Sequence, residues 1–282
     1  MAQRATRRRK IKPLIDGDLV AYELAFGCQR FEDDQLVLVP VEEVNQRVTN
    51  KIEEICAEVY ATEPPTIFFT GKTNFRNDVA KSKPYKGNRK GDKPHYLKYI
   101  RSYLMANYDS ELVEGLEADD LMSMRQTERL KFKDTVICTR DKDLRQVPGM
   151  HYGWECGKQP SFGPKLVDKH GTLELKGGKK LKGTGDMLLY AQMLIGDQTD
   201  NIGGARGWSD IKTYNLLKGC QDELSLYNAV ESVYNELYGD QAMTLLTETA
   251  NLVYMIRRAD NLNGELEPVF WRAPVATDNR TI

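Results

Sequence analysis

Apolar positions along this chain fall into two rhythms. Some are short solid runs closed by a polar residue. IKPLI (11–15) stops at Asp16 and predicts a buried strand, with a helix or loop following over LVAYELAF. PTIFFTG (65–71), bounded by proline and glycine, predicts a second strand, and DTVICT (134–139), stopping before Arg140 and Asp141, a third. Other stretches repeat every three or four residues. Val41, Val44, Val48, Ile52, Ile55 and Val59 predict a helix over 41–61, and Tyr96, Tyr99, Ile100, Tyr103 and Leu104 another over 95–108. Residues 112–130 read as a helix with acids in its first turns, and 185–196 as a further helix. From Gly204 to about residue 258 the pattern predicts several short helices. The stretch 81–94 (KSKPYKGNRKGDKP) has no period and is rich in Lys, Gly and Pro, so it reads as irregular. Strands alternating with helices predict an α/β protein with a mostly parallel central sheet flanked by helices.

The chain has 282 residues, 40% of them hydrophobic and 29% charged, enough for one large domain or two modest ones. No apolar run approaches the roughly 20 residues that span a bilayer. The basic start MAQRATRRRKIKP is not followed by the apolar stretch of a signal peptide, so a cytoplasmic protein with no membrane partner is expected. Five scattered cysteines, none in C-x-x-C, argue against a zinc cluster or a complete disulfide framework. The net charge is only −1, but its distribution is uneven. Residues 1–12 carry six Arg or Lys and no acid; residues 72–101 carry ten against Asp78 and Asp92. Residues 158–182 carry seven lysines against Asp168 and Glu174, whereas residues 219–282 carry ten acids against four arginines. That asymmetry predicts a polyanion-binding surface backed by an acidic remainder.

The acids have a pattern of their own. In parallel α/β sheets, ligands sit at the carboxyl ends of the strands. Asp16 ends the first strand, with Asp18 close by, and Asp141 and Asp143 follow the third. Glu117, Asp119 and Asp120 open a helix; Asp197 and Asp200 follow another, in MLIGDQTDNIGG. Glu117 and Asp120, three apart, share a helix face. Gathered together, nine carboxylates would repel one another unless cations joined them. All-oxygen ligation suits Mg²⁺ or Mn²⁺, and the number of carboxylates suits two ions.

In order, LIDGD, YKGNR, LEADDL, TRDKDL and GDQTDNIGGARGW…KTYNLL resemble the 5′→3′ exonuclease and flap endonuclease family in its compact phage-type form. The resemblance covers about residues 11–218. It implies a PIN-like core with a helical arch and a C-terminal helix–turn–helix region. The expected activity is two-metal hydrolysis of 5′ single strands or flaps of DNA, or of RNA in primer hybrids, leaving a 5′-phosphate. Asp16, Glu117, Asp119, Asp120 and Asp141 correspond to the first metal group, and Asp143, Asp197 and Asp200 to the second, with Asp141 near both. Asp18 is a weaker member. Lys86 and Arg89 would contact the scissile phosphate at the arch entrance and act with Asp141 as catalytic residues. Tyr85, Lys83, Lys90, Arg206 and Lys212 would contact DNA. Mg²⁺ is the implied cofactor, with Mn²⁺ able to substitute and K⁺ expected at the helix–turn–helix. The expected organisation is an α/β catalytic core over 1–184, including a basic arch over 81–107, and a helical duplex-binding region over 185–282 packed on it. A monomer acting without an obligate protein partner or a polymerase domain in the same chain is expected, with a role in phage DNA replication.

Two departures stand out. Many relatives carry an aspartate after the second strand, where this chain has Thr70, and Asp18 is the acid expected to compensate for it. Gly207-Trp208-Ser209 replaces the usual Gly-Ile-Gly hairpin. The alternative these departures leave open is a DNA-binding protein of the same fold with an impaired active site; an RNase-type nuclease is a further one.

Overall fold

The computed structural model describes residues 10–89, 91–128, 134–262 and 265–275. In chain order the first elements are β1 (Lys12–Asp16), α1 (Gly17–Gly27), β2 (Gln29–Glu32), β3 (Gln35–Leu38), α2 (Val41–Glu58), β4 (Thr66–Thr70) and α3 (Arg76–Val79). There follow α4 (Leu97–Asn107), β5 (Ser110–Val113), α5 (Ala118–Glu128), β6 (Thr135–Cys138), β7 (Gly149–Gly153), β8 (Phe162–Val167), β9 (Thr172–Lys176) and β10 (Lys180–Thr184). The last are α6 (Gly185–Ile195), β11 (Gly196–Asp197), β12 (Ile202–Gly203), α7 (Asp210–Leu217), α8 (Glu223–Tyr238), α9 (Ala242–Val253), β13 (Ala259–Leu262) and β14 (Glu265–Pro268). They form two compact units.

The first unit comprises the chain up to Gly71, Asp92–Asp141 and Gly149–Leu166. It holds a six-stranded sheet in the order β5-β4-β1-β6-β7-β8. The pairs β5–β4, β4–β1, β1–β6 and β6–β7 are all parallel. The central strand β1 pairs Leu14 with Thr66 on one side and Ile137 on the other. A parallel strand covered on both faces needs apolar residues throughout, and this explains the solid runs at 12–16, 66–70 and 135–138. The stripe Val44, Val48, Ile52 and Ile55 of α2 is buried, as are Ile100 and Leu104 of α4, in one core with Ile15, Ile67 and Phe69. Each such side chain contributes about 1.5–3 kcal/mol when fully buried.

The second unit comprises Lys72–Gly91, Lys142–Pro148 and the chain from Val167. Its core is α6, almost entirely buried, with Tyr190, Met193 and Leu194 packed among Leu226 and Val230 of α8 and Leu246 and Ala250 of α9.

One expectation changes. The helix expected over 112–130 begins only at Ala118, because Ser110–Val113 pair with β4 as an edge strand. A two-residue apolar run cannot distinguish strand from helix. Within the stretch 81–107, residues up to Gly91 belong to the second unit, while α4 packs its apolar stripe in the core of the first. The β9–β10 hairpin packs Leu173, Leu175 and Leu181 against the α6 core, and Lys72–Gly91 with Lys142–Pro148 joins that unit too.

Candidate active site

In the first unit the acids collect at the carboxyl ends of adjacent strands. β1 ends on Asp16, which caps α1: its Oδ1 accepts from the Leu19 amide at 2.9 Å. Gly17 lets the start of α1 pack closely on β4, because a Cβ there would strike the Phe69 ring and Ile67. Asp16 Oδ2 accepts from the Thr139 hydroxyl at 2.8 Å, and that hydroxyl accepts from the Asp141 amide at 3.0 Å. One hydroxyl at the end of β6 therefore ties Asp16 to the loop that carries Asp141. Sequence reasoning passed over Thr139, and its one signal was its place before TRDKD. Glu117 and Asp120 do share a turn, with Asp120 Oδ2 accepting from the Glu117 amide at 3.1 Å. Asp120 is wholly buried and Glu117 nearly so, at the start of a helix whose dipole favours negative charge. Asp119 lies beside them, half-buried.

Asp18 is engaged elsewhere. Its Oδ1 is paired with the Arg101 guanidinium and its Oδ2 accepts from the Thr70 amide at 2.8 Å. Arg101 also donates to the Thr70 carbonyl at 2.9 Å. Thr70 in turn accepts from the Ala118 amide at 3.0 Å, supporting the start of α5. Asp18 thus pins the end of β4, and a cation already neutralises it, so it does not stand in for the acid that Thr70 replaces.

In the second unit, Lys142 Nζ lies 3.1 Å from Asp197 Oδ2 and 3.4 Å from Asp143 Oδ1. An ammonium bridging two carboxylates marks a seat for positive charge. Burial would raise the Asp197 carboxyl, but Lys142 and the Thr199 and Asp200 amides outweigh it and hold it below the usual carboxylate range. Asp143 Oδ1 also accepts from Gln192 at 2.8 Å, a buried amide on α6 that sequence reasoning missed inside an apolar run.

Asp197 and Asp200 sit on the β11–β12 hairpin. Gly196 opens it at φ +69°, and a Cβ there would collide with the Ile202 carbonyl. Asp200 serves the basic loop. Its Oδ2 accepts from the Tyr85 hydroxyl at 2.9 Å, its Oδ1 from Arg89 at 2.6 Å, and Lys86 Nζ lies 3.6 Å away. The Lys86 amide donates to the Asp200 carbonyl at 2.8 Å, Asn88 to the Gln198 carbonyl at 2.7 Å, and Asn201 to the Pro84 carbonyl at 2.8 Å. YKGNR is therefore docked on GDQTDN. Lys86 takes φ +53°, a left-handed conformation uncommon outside glycine, which recurs at functional loops.

Of the other residues expected at DNA, Lys83 and Arg206 are exposed, and Arg206 donates its amide to the Tyr238 hydroxyl at 2.8 Å. Lys212 is exposed on α7, where its Nζ closes the preceding turn on the Gly207 carbonyl at 2.9 Å. Lys90 lies outside the described residues.

Among the described residues, no three His, Cys, Asp or Glu side chains form a group that could hold a metal ion as they stand. The donor chemistry nevertheless fits a hard divalent cation: the acids are carboxylates only, buried or half-buried, and an ammonium already bridges one pair.

No family model matches the chain. By sequence it is similar to DNA polymerase I of Bacillus caldotenax, 26% identical over 220 residues (73% of this chain, 23% of the relative). It is also similar to that of Bacillus subtilis (strain 168), 26% identical over 238 residues (81% and 25%). The chain thus spans about a quarter of the length of the curated relatives it matches. By structure it resembles the T5 D15 protein co-crystallised with metal ions, at TM-score 0.57 and 15% identity, covering 86% of this chain and 89% of that one. It resembles equally the T5 5′-exonuclease with divalent zinc bound, at TM-score 0.58, 15% identity and the same coverage. The chain has the fold of the T5 5′-exonuclease. In that 5′-exonuclease fold the parallel sheet presents the ends of β1 and β6 with their acids, and α6, β11 and β12 present Asp197 and Asp200. No helix among the described residues is long and apolar enough to cross a membrane.

Proposed function

We propose that the protein is a divalent-metal-dependent 5′→3′ exonuclease and 5′-flap endonuclease acting on DNA. The observation that carries this reading is the acidic strand-end group of the 5′-exonuclease fold, in which Thr139 joins Asp16 to the Asp141 loop. Asp16, Glu117, Asp119, Asp120 and Asp141 would hold one Mg²⁺; Asp143 and Asp197, with Asp200 once it is released, would hold a second. When bound, such ions supply Lewis-acid stabilisation of the attacking and leaving oxygens of a phosphodiester.

The chain's own residues do the rest. Lys86 and Arg89 hold the phosphate through charge-assisted hydrogen bonds, and Tyr85 offers a ring on which a base stacks. To do so they must leave Asp200, so in this reading phosphate and carboxylate compete for the same cations. Lys83 and Lys90 add charge along the incoming strand, while Arg206 and Lys212 grip the duplex backbone. Mn²⁺ substitutes for Mg²⁺, K⁺ supports the turn before α7, the 5′ strand can be DNA or the RNA of a primer hybrid, and the protein works as a monomer.

The test is a labelled 5′-flap duplex incubated with protein plus Mg²⁺ or plus EDTA. Release of the flap with Mg²⁺ and none with EDTA is expected. Tight DNA binding with no cleavage in Mg²⁺ or Mn²⁺ would instead favour a DNA-binding protein with an impaired site, a reading that Thr70 favours by occupying the place of an acid.

A further inference from the structure

The lysine-rich stretch 158–182 has no part in the reading above, and the structure gives it a form. β9 and β10 make an antiparallel hairpin in which Leu175 faces Leu181, Lys176 faces Lys180 and Glu174 faces Lys182. Period-two alternation sends Leu173, Leu175 and Leu181 to the α6 core and leaves Lys176, Lys180 and Lys182 on the outer face. The hairpin is braced against the first turn of α7 through the Leu181 amide, which donates to Asp210 Oδ2 at 2.8 Å.

That outer face carries an excess of positive charge, three lysines to the one acid Glu174. Two lysines directly opposite each other destabilise a strand pair. Among the described residues, none of Lys176, Lys179, Lys180 and Lys182 forms an ion pair with an acid. Burial, then the Lys176 and Arg145 charges, outweigh the facing Glu174 carboxylate and pull the Lys182 ammonium below its ordinary range. A rigid scaffold holding three lysines against the single acid Glu174 is a seat for a polyanion. Lys180 and Lys182, two residues apart on one strand, stand about 6.8 Å apart along it. The same unit carries Lys212 on α7.

We propose that the outer face of the β9–β10 hairpin is a second duplex-DNA contact surface, where Lys176, Lys180 and Lys182 engage backbone phosphates of double-stranded DNA. The proposal rests on the DNA-processing reading and extends it to residues that no part of that reading uses.

The experiment measures affinity of the full chain for a blunt DNA duplex, in Ca²⁺ to prevent cleavage, between about 50 and 200 mM KCl. The proteins compared are the wild type, the triple variant Lys176→Gln/Lys180→Gln/Lys182→Gln and the matching triple Lys→Arg variant. Each lost phosphate contact lowers the slope of log K against log salt by about 0.9. The Gln variant should therefore have a slope shallower by about 2.7, and its affinity deficit should shrink about 40-fold across that salt range, while the Arg variant keeps the wild-type slope. Should the triple variant fail to fold, Lys180→Gln alone carries the same test, with an expected slope change of about 0.9. A wild-type slope retained by the folded Gln variant overturns the proposal alone. A wild type without salt-dependent duplex binding overturns it together with the nuclease reading. Loss of binding to anionic phospholipid vesicles with the DNA slope unchanged would also overturn it, assigning the face to a membrane.

Discussion

The ammonium of Lys142 lies between Asp143 and Asp197, the pair proposed to hold the second cation. Its side chain is 62% exposed while Asp197 is 6% exposed, so the lysine can leave and the carboxylate cannot follow it into water. Lys142→Met should therefore lower stability in EDTA by about 1–2 kcal/mol, by denaturant melts, with Mg²⁺ restoring much of the loss. A melt indifferent to Mg²⁺ would show that the seat is not a metal's. The depressed Asp197 carboxyl sets a sign for pH. Unfolded, it takes up its proton near the ordinary value of about 3.9; folded, only lower. Its contribution is fully present above about pH 4 and is lost as pH falls through the depressed value. The acid limb of the stability curve should flatten in Asp197→Asn. Asp141 differs in kind. It hangs on Thr139 through its own amide, so Asp141→Asn keeps that hydrogen bond and removes only carboxylate charge. Cleavage should fall by at least about 100-fold with DNA affinity retained, and retained Mg²⁺-dependent turnover would refute its role. The acids at these positions were legible as a set from their spacing and their places after apolar runs. The partners of each were not. Nothing in the sequence distinguishes Asp18, committed to Arg101, from Asp16, held by Thr139, because both partners arrive from distant segments.

Elements carry these residues with different degrees of freedom. The strands β1, β4 and β6 and the helices α2, α4 and α6 were readable because long-period or solid apolar patterns admit one backbone geometry. The hairpins were not. β2–β3 turns through Asp33 and Asp34 at φ +46° and +61°, a two-residue turn that takes both residues left-handed. Its flanking strands are exposed or half-buried and have no clear alternation. The β11–β12 hairpin depends on one residue. Gly196→Ala must accept a left-handed backbone and a collision with the Ile202 carbonyl, a cost of about 2 kcal/mol or more. We expect a lower midpoint in chemical denaturation and weaker cleavage, since Asp197 and Asp200 ride on that turn; wild-type stability would contradict the geometry. Elsewhere the same unit anchors its basic loop more firmly. Arg76, 1% exposed, donates to the Leu252 and Tyr254 carbonyls at the end of α9, and Glu248 accepts from the Lys81 and Ser82 amides. The loop that carries Lys86 and Arg89 is therefore held at its root by α9 and at its tip by Asp200.

For the whole molecule, the proposed reading of two acidic groups would give a reaction whose rate depends on more than one divalent ion. At low Mg²⁺ the initial rate of flap cleavage should rise faster than the first power of its concentration; first-order dependence throughout would refute the two-ion reading. The sequence alone was enough for the α/β class, for the order of the acidic and basic segments, and for the family whose fold the comparisons then matched. Those properties follow from local periodicity and from chemistry written residue by residue. Only the tertiary structure decided which unit each segment joins, that α4 packs in the core of the first unit, that Asp200 holds the basic loop, and that three lysines share one face of a hairpin with Glu174. Such outcomes depend on long-range contacts, in which burial, charge pairing and strand register select among arrangements that the local pattern leaves equal.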